Sequence, residues 1–105
     1  MTAINLAMAK RRFSLRATVD TDSPELVLKA LRRLLGEGAV ERGTKPGEFL
    51  VRKVVEGGSA KDLNKTLLSA LRREEKRTRL RSEWTAQDGT VYRFFDYVLK
   101  RVAKA

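Results

Sequence analysis

The stretch FSLRATVDTDSPELVLKALRR, residues 13–33, returns in outline as FLVRKVVEGGSAKDLNKTLLSALRR, residues 49–73. Each copy opens on a run suited to a strand and closes on leucines at helical spacing. A strand followed by a helix carries an apolar face that it cannot bury alone, so two such units in one short chain must share a single sheet and a single core. The second copy holds an insertion of about one helical turn, which keeps Ala30-Leu31-Arg32-Arg33 aligned with Ala70-Leu71-Arg72-Arg73 and leaves the buried stripe nearly unrotated.

Residues 12–19, RFSLRATV, alternate apolar Phe13, Leu15, Ala17 and Val19 with polar partners, the period-two pattern of a strand with one buried face. Ser23-Pro24-Glu25 reads as an N-cap, a proline at the first helical position and an acid near the positive helix end. The helix from Pro24 turns Leu26, Val27, Ala30, Leu31, Leu34 and Leu35 inward, and Gly36 or Gly38 ends it. Residues 39–42 and 48–55, with Gly43-Thr44-Lys45-Pro46-Gly47 between them, read as a hairpin. Ser59 and Asp62 resemble a capping arrangement ahead of a second helix with Leu63, Leu67, Leu68 and Leu71 inward. Residues 78–85 and 90–97 flank Gln87-Asp88-Gly89, whose Asp-Gly is a strong hairpin signal. The tail from Val98 either extends the last strand or forms a short basic helix; periodicity does not choose.

The order strand, helix, strand, strand, helix, strand, strand resembles the ferredoxin-like sandwich. The resemblance is topological, covers roughly residues 12–85 and rests on no motif. It implies an α+β, two-layer βαββαβ fold with one extra C-terminal strand and two helices on one face of an antiparallel sheet. Residues 1–11 are expected to form a flexible N-terminal arm and 12–105 a single domain. The short apolar stretch before the basic AKRRF cluster has the wrong charge order for a secretory signal and is too short to span a bilayer.

Of the 105 residues, 23 are Lys or Arg and 13 Asp or Glu, a net charge of +10. Such a field attracts phosphate-rich polymers, which makes nucleic acid the first partner to consider; a basic subunit that meets an acidic protein is the alternative. There is no cysteine and no histidine. Disulfides, thiolate metal sites, His-based metal centres and hydrolytic triads are thereby excluded, and a cytoplasmic setting is expected. No phosphate-binding glycine loop is present, with neither GxxxxGK[ST] nor GxGxxG at a strand-helix junction. Asp20, Asp22 and Glu25 are adequately explained as turn and cap residues, so no metal or other cofactor is expected.

If Phe13, Leu15, Phe49 and Val51 face the helices, Arg16 and Arg52 emerge side by side on the open face of central strands, at matching positions of the two copies. RNA recognition motifs use this same surface, but the aromatics they place there are missing, since Ser14 and Leu50 flank the arginines. Arg79 and Arg81 share one strand face, and Arg12 lies at the edge. Within LRREEKRTRLR, Arg72, Arg73, Lys76 and Arg77 continue the basic run from the helix end. These nine residues form the expected nucleic-acid surface, with Tyr92 and Phe94 of the aromatic last hairpin as stacking or interface residues. The plainer reading of the same charges is that they are solvated or paired, Arg16 and Arg52 with Glu48, Glu83 or a partner subunit.

The expectation is a non-enzymatic, basic nucleic-acid-binding protein, with RNA or another single strand favoured because an open sheet suits a strand and no helix suits a major groove. The rival is an assembly subunit that uses the aromatic hairpin for homo-oligomerisation or for a partner. A winged helix over residues 59–97 accounts for the Asp-Gly wing but leaves the first strand-helix unit unexplained.

Overall fold

A computed structural model describes residues 11–104. The arm expected over residues 1–11 lies almost wholly outside the described residues; its last member, Arg11, already belongs to the first strand. The chain forms β1 (Arg11–Asp20), α1 (Pro24–Leu35), a 3-10 turn (Glu37–Ala39), β2 (Val40–Arg42), β3 (Glu48–Gly57), α2 (Ala60–Glu74), β4 (Arg79–Ala86), β5 (Thr90–Phe95) and β6 (Val98–Lys104). The strands make one antiparallel sheet in the order β2-β3-β1-β4-β5-β6. The fold is α+β.

The alternation read in β1 is realised residue by residue. Phe13, Leu15, Ala17 and Val19 are buried, and they join Phe49 and Val51 of β3, Leu80 and Trp84 of β4, and the inner faces of both helices in one core. Full burial of a side chain as large as Phe13 stabilises by roughly 1.5–3 kcal/mol. The α1 stripe is narrower than the leucine spacing predicts. Val27, Leu28, Ala30 and Leu31 are buried, while Leu26 and Leu34 stay exposed. The difference arises because α1 rests on one sheet and one neighbouring helix, contacts that a stripe of about 100° satisfies.

The helix ends use the predicted residues with one change. Ser59 accepts from the Asp62 N–H at 3.1 Å. Ser23 occupies the N-cap position of α1 but makes no cap hydrogen bond; its hydroxyl donates instead to Glu75 Oε2 at 2.8 Å, tying the start of α1 to the end of α2. Gly36, at φ 94°, ends α1, and its N–H donates to the Arg32 carbonyl.

The C-terminal tail is a sixth strand, so three strands rather than two follow the second strand-helix unit. β6 returns from a turn at Asp96-Tyr97 and pairs with β5, with a register shift between Arg93 and Phe94. Asp96 holds this turn at φ 56°. Its N–H donates to the Leu80 carbonyl at 2.6 Å, and its Oδ1 accepts from the Leu80 N–H at 2.9 Å.

Candidate nucleic-acid interface

The two helices cover one face of the sheet, and the other face is open. Its composition follows from register. Arg16 of β1 stands directly opposite Arg52 of β3 and, on its other side, opposite Glu83 of β4. Glu83 in turn faces Arg93 of β5, which faces Arg101 of β6. One row across the sheet therefore reads Arg52, Arg16, Glu83, Arg93, Arg101. At about 4.8 Å per strand spacing the row is about 19 Å long.

The carboxylates on and around this face are already committed. Glu83 Oε2 lies 3.0 Å from Arg93 Nε. Arg12 pairs with Glu56 at 3.5 Å and Arg81 with Asp20 at 3.9 Å. Among the described residues no carboxylate comes within 4.0 Å of Arg16, Arg52, Lys100 or Arg101. Like charges held directly opposite in a sheet are destabilising. Arg16 beside Arg52 is thus a small cost to the fold that an anion would remove.

The next row places Leu50, Thr18, Arg81, Phe95 and Val98 in line. Between the two rows lies a shallow depression of about 480 Å³, lined by Arg16, Leu50, Arg81, Arg93, Phe95 and Lys100 among others. It is a surface basin on the sheet, framed by four cations and floored in part by apolar side chains.

The predicted basic residues divide into two groups. Arg12, Arg16, Arg52, Arg79 and Arg81 do share the open face. Arg72 and Arg73 belong to α2 on the other side of the sheet, and Lys76 and Arg77 to the loop ahead of β4. Arg72 is half-buried and spent on structure: its Nε donates to the Thr78 carbonyl at 2.9 Å, its guanidinium lies 3.4 Å from Asp96 Oδ1, and it packs over the Tyr97 ring. Arg77 pairs with Asp22 at 3.1 Å and donates its N–H to Glu75 Oε1. That bond and the Ser23 hydroxyl hold the Glu75 carboxyl below its ordinary pKa. Asp20, Asp22 and Glu25 each face a different arginine, Arg81, Arg77 and Arg42.

Tyr92 and Phe94 are not on the open face. Tyr92 stands opposite Trp84, and Phe94 opposite Ser82, so both point toward the helices. Phe94 is 4% exposed, and Tyr92 packs edge-on against Phe13 with ring centroids 6.4 Å apart. The cause is the β4–β5 loop. Its three residues are Gln87, Asp88 and Gly89, with Gly89 at φ 90°, whereas a two-residue Asp-Gly turn would have shifted the register by one and exchanged the two faces. The aromatic left on the open face is Phe95, 42% exposed. Arg93, Lys100 and Arg101, absent from the predicted set, join that face for the same reason. Alternation from a buried Phe94 would have identified Arg93 and Phe95; nothing in the sequence marks β6 as a strand.

Among the described residues no helix is long and apolar enough to cross a membrane. Comparison with protein-family models, with curated proteins and with solved structures gives no match.

Proposed function

We propose that the protein is a non-enzymatic binding module for single-stranded nucleic acid, RNA in the first instance, which it engages through the open face of the sheet. The observation that carries this reading is the row Arg52, Arg16, Glu83, Arg93, Arg101, in which Arg16 and Arg52 stand opposed without a carboxylate between them. Arginine holds phosphate oxygens in a bidentate fork, and the net charge of +10 brings the polyanion to the surface. An open basic sheet suits a single strand; among the described residues no helix stands clear of the body as a major-groove reader would. The strand order β2-β3-β1-β4 of the two strand-helix units supports a ferredoxin-like core, to which β5 and β6 add a basic hairpin. A cytoplasmic setting accords with this role.

The test is fluorescence anisotropy of nuclease-treated protein with labelled single-stranded RNA, single-stranded DNA and duplex DNA across a salt series. Each neutralised phosphate contributes a slope of about −0.7 on single strands, so four arginines predict about −2.8 in log K against log salt. Arg16→Glu with Arg52→Glu should abolish binding at 150 mM salt, on the order of physiological ionic strength, with an unchanged circular dichroism spectrum. Absence of binding by the parent protein at low salt refutes the reading.

A second reading, an assembly subunit, rests on β6. This edge strand leaves Val98, Leu99 and Val102 exposed beside Tyr97. Lys100, Arg101 and Lys104 oppose edge pairing between two copies, so an acidic partner fits this strand better than a homo-oligomer. A complex that survives high salt and is lost on Leu99→Asp would identify it.

A further inference from the structure

Building on the reading of the open face as a single-strand site, we infer that Phe95 is its base-stacking platform and that the strand crosses the sheet along the arginine row, with one base seated in the depression beside Glu83. Three features place the base there. Of the two phenylalanines that border the depression, Phe94 is buried with its ring toward the helices, which leaves Phe95, 42% exposed, as the ring open to a base. Arg79 lies over the Phe95 ring at 5.4 Å and is itself held by Asp96 Oδ2 at 3.0 Å, yet Arg79 does not line the depression. One ring face is therefore propped from behind, and the other looks into the basin. Such a ring is fixed before ligand arrives, which lowers the ordering cost of stacking.

Glu83 divides the row into sites of two kinds. A carboxylate repels phosphate, so phosphates are directed to Arg52 and Arg16 on one side and to Arg93, Lys100 and Arg101 on the other. Between them Phe95 and Glu83 are diagonal neighbours across the β4–β5 pair, since Arg81 opposes Phe95 and Glu83 opposes Arg93. Diagonal positions lie about 7–8 Å apart, a separation that one base can bridge. A base on Phe95 thus brings its polar edge to Glu83, whose Oε1 accepts from none of the described residues while Oε2 is held by Arg93. The row length of about 19 Å accommodates at most about six nucleotides at the ~3.4 Å rise of a stacked strand. Paired bases in a duplex cannot reach Phe95, so the platform also selects for single strands.

Stacking and phosphate contacts differ in their response to salt, and the experiment uses that difference. Anisotropy of a labelled six-nucleotide RNA and of a duplex DNA is measured for the parent protein, Phe95→Ala, Phe95→Leu and Phe95→Trp, each across a salt series, with circular dichroism as the folding control. Phe95→Ala should weaken single-strand binding by about 5- to 150-fold, leave the salt slope unchanged and leave duplex binding as it was. Phe95→Leu, which keeps an apolar side chain without a π-face, should weaken it likewise. Phe95→Trp should restore affinity, and its added indole emission should be quenched by RNA, whereas Trp84 is buried and serves as a constant background. An unchanged affinity in Phe95→Ala alongside tight, salt-dependent binding by the parent overturns the stacking assignment and leaves the basic-face reading standing. A loss of salt slope in Phe95→Ala also overturns it. No binding by the parent protein overturns both.

Discussion

The buried polar node at Asn64 yields the largest stability effect worked from the structure. Asn64 is 1% exposed and sits on the inner face of α2 among leucines. Its Oδ1 accepts from Ser82 Oγ at 2.5 Å and from Trp84 Nε1 at 3.1 Å, and its Nδ2 donates to the Asp96 carbonyl at 2.8 Å. In Asn64→Ala all three bonds go. Trp84 Nε1 keeps the Ser82 hydroxyl as a partner at 3.1 Å, so the group left without a protein partner is the Asp96 carbonyl. Three lost bonds at roughly 1 kcal/mol each, with a further penalty of about 1 kcal/mol for a desolvated acceptor, give about 3–4 kcal/mol. At roughly 4 °C or more per kcal/mol for a domain of this size, the melting temperature should fall by at least about 12 °C.

The assay is urea denaturation followed by the emission of Trp84, the only tryptophan. The midpoint should drop with an unchanged m-value, because the buried area is little altered. Asn64→Leu adds a sharper condition. It fills the volume with apolar atoms yet leaves the Ser82 hydroxyl, the Trp84 N–H and the Asp96 carbonyl facing them, so it should be no more stable than Asn64→Ala. Asn64→Ala combined with Ser82→Ala should be less costly than the two losses added, by about 1 kcal/mol, because they share a bond. An Asn64→Leu variant as stable as the parent would refute the claim that this node is a satisfied network on which the core depends.

Two further outcomes follow from the turns. Asp88 accepts from the Thr90 N–H at 2.9 Å and faces Lys104, and the Thr90 contacts first, then Lys104, hold its carboxyl down to about 2 from an ordinary 3.8. A pKa depressed in the folded state marks stability that is present above the unfolded value and lost as pH falls through the folded one. The β4–β5 turn should therefore loosen between about pH 4 and 2, and NMR titration of the Asp88 carboxyl should show a midpoint near the lower figure. Gly47 stands at φ 78°, where a Cβ would run into the Thr21 carbonyl oxygen, so Gly47→Ala should cost about 2–3 kcal/mol, read as a lowered denaturation midpoint.

The strand-helix duplication was legible because it is local. Phe13 to Val19 alternate, Phe49 and Val51 repeat the pattern, and each helix carries its own leucine stripe, so β1, β3 and both helices could be placed before any tertiary contact was known. The opposition of Arg16 and Arg52 followed from the same parity. What failed was long-range register. The side to which Tyr92 and Phe94 point depends on whether the β4–β5 loop holds two residues or three, and Gln87-Asp88-Gly89 is compatible with both. β6 was illegible for a related reason: VLKRVAK has no clean alternation, because the irregularity between Arg93 and Phe94 interrupts the period that a reader would look for. Arg72 was misplaced since its role as a clamp on Asp96 and Tyr97 exists only once β5 and β6 turn back beneath α2.

That clamp also explains how a small core presets the open face. Asp96 receives Asn64 on its carbonyl, Arg72 and the Leu80 N–H on Oδ1, and Arg79 on Oδ2. Aspartate tolerates the left-handed backbone that the turn requires, and its short carboxylate reaches back to β4 where the longer glutamate would overshoot. Through Arg79 the same residue fixes the Phe95 ring, and through the direction of the turn it sets where β6 delivers Lys100 and Arg101. Phe95 and the cations beyond it are therefore held by a chain of contacts that starts at a fully buried asparagine. Rigidity on the open face, which a surface rich in arginines cannot supply for itself against mutual repulsion, is drawn from the hydrogen-bonded side of the sheet.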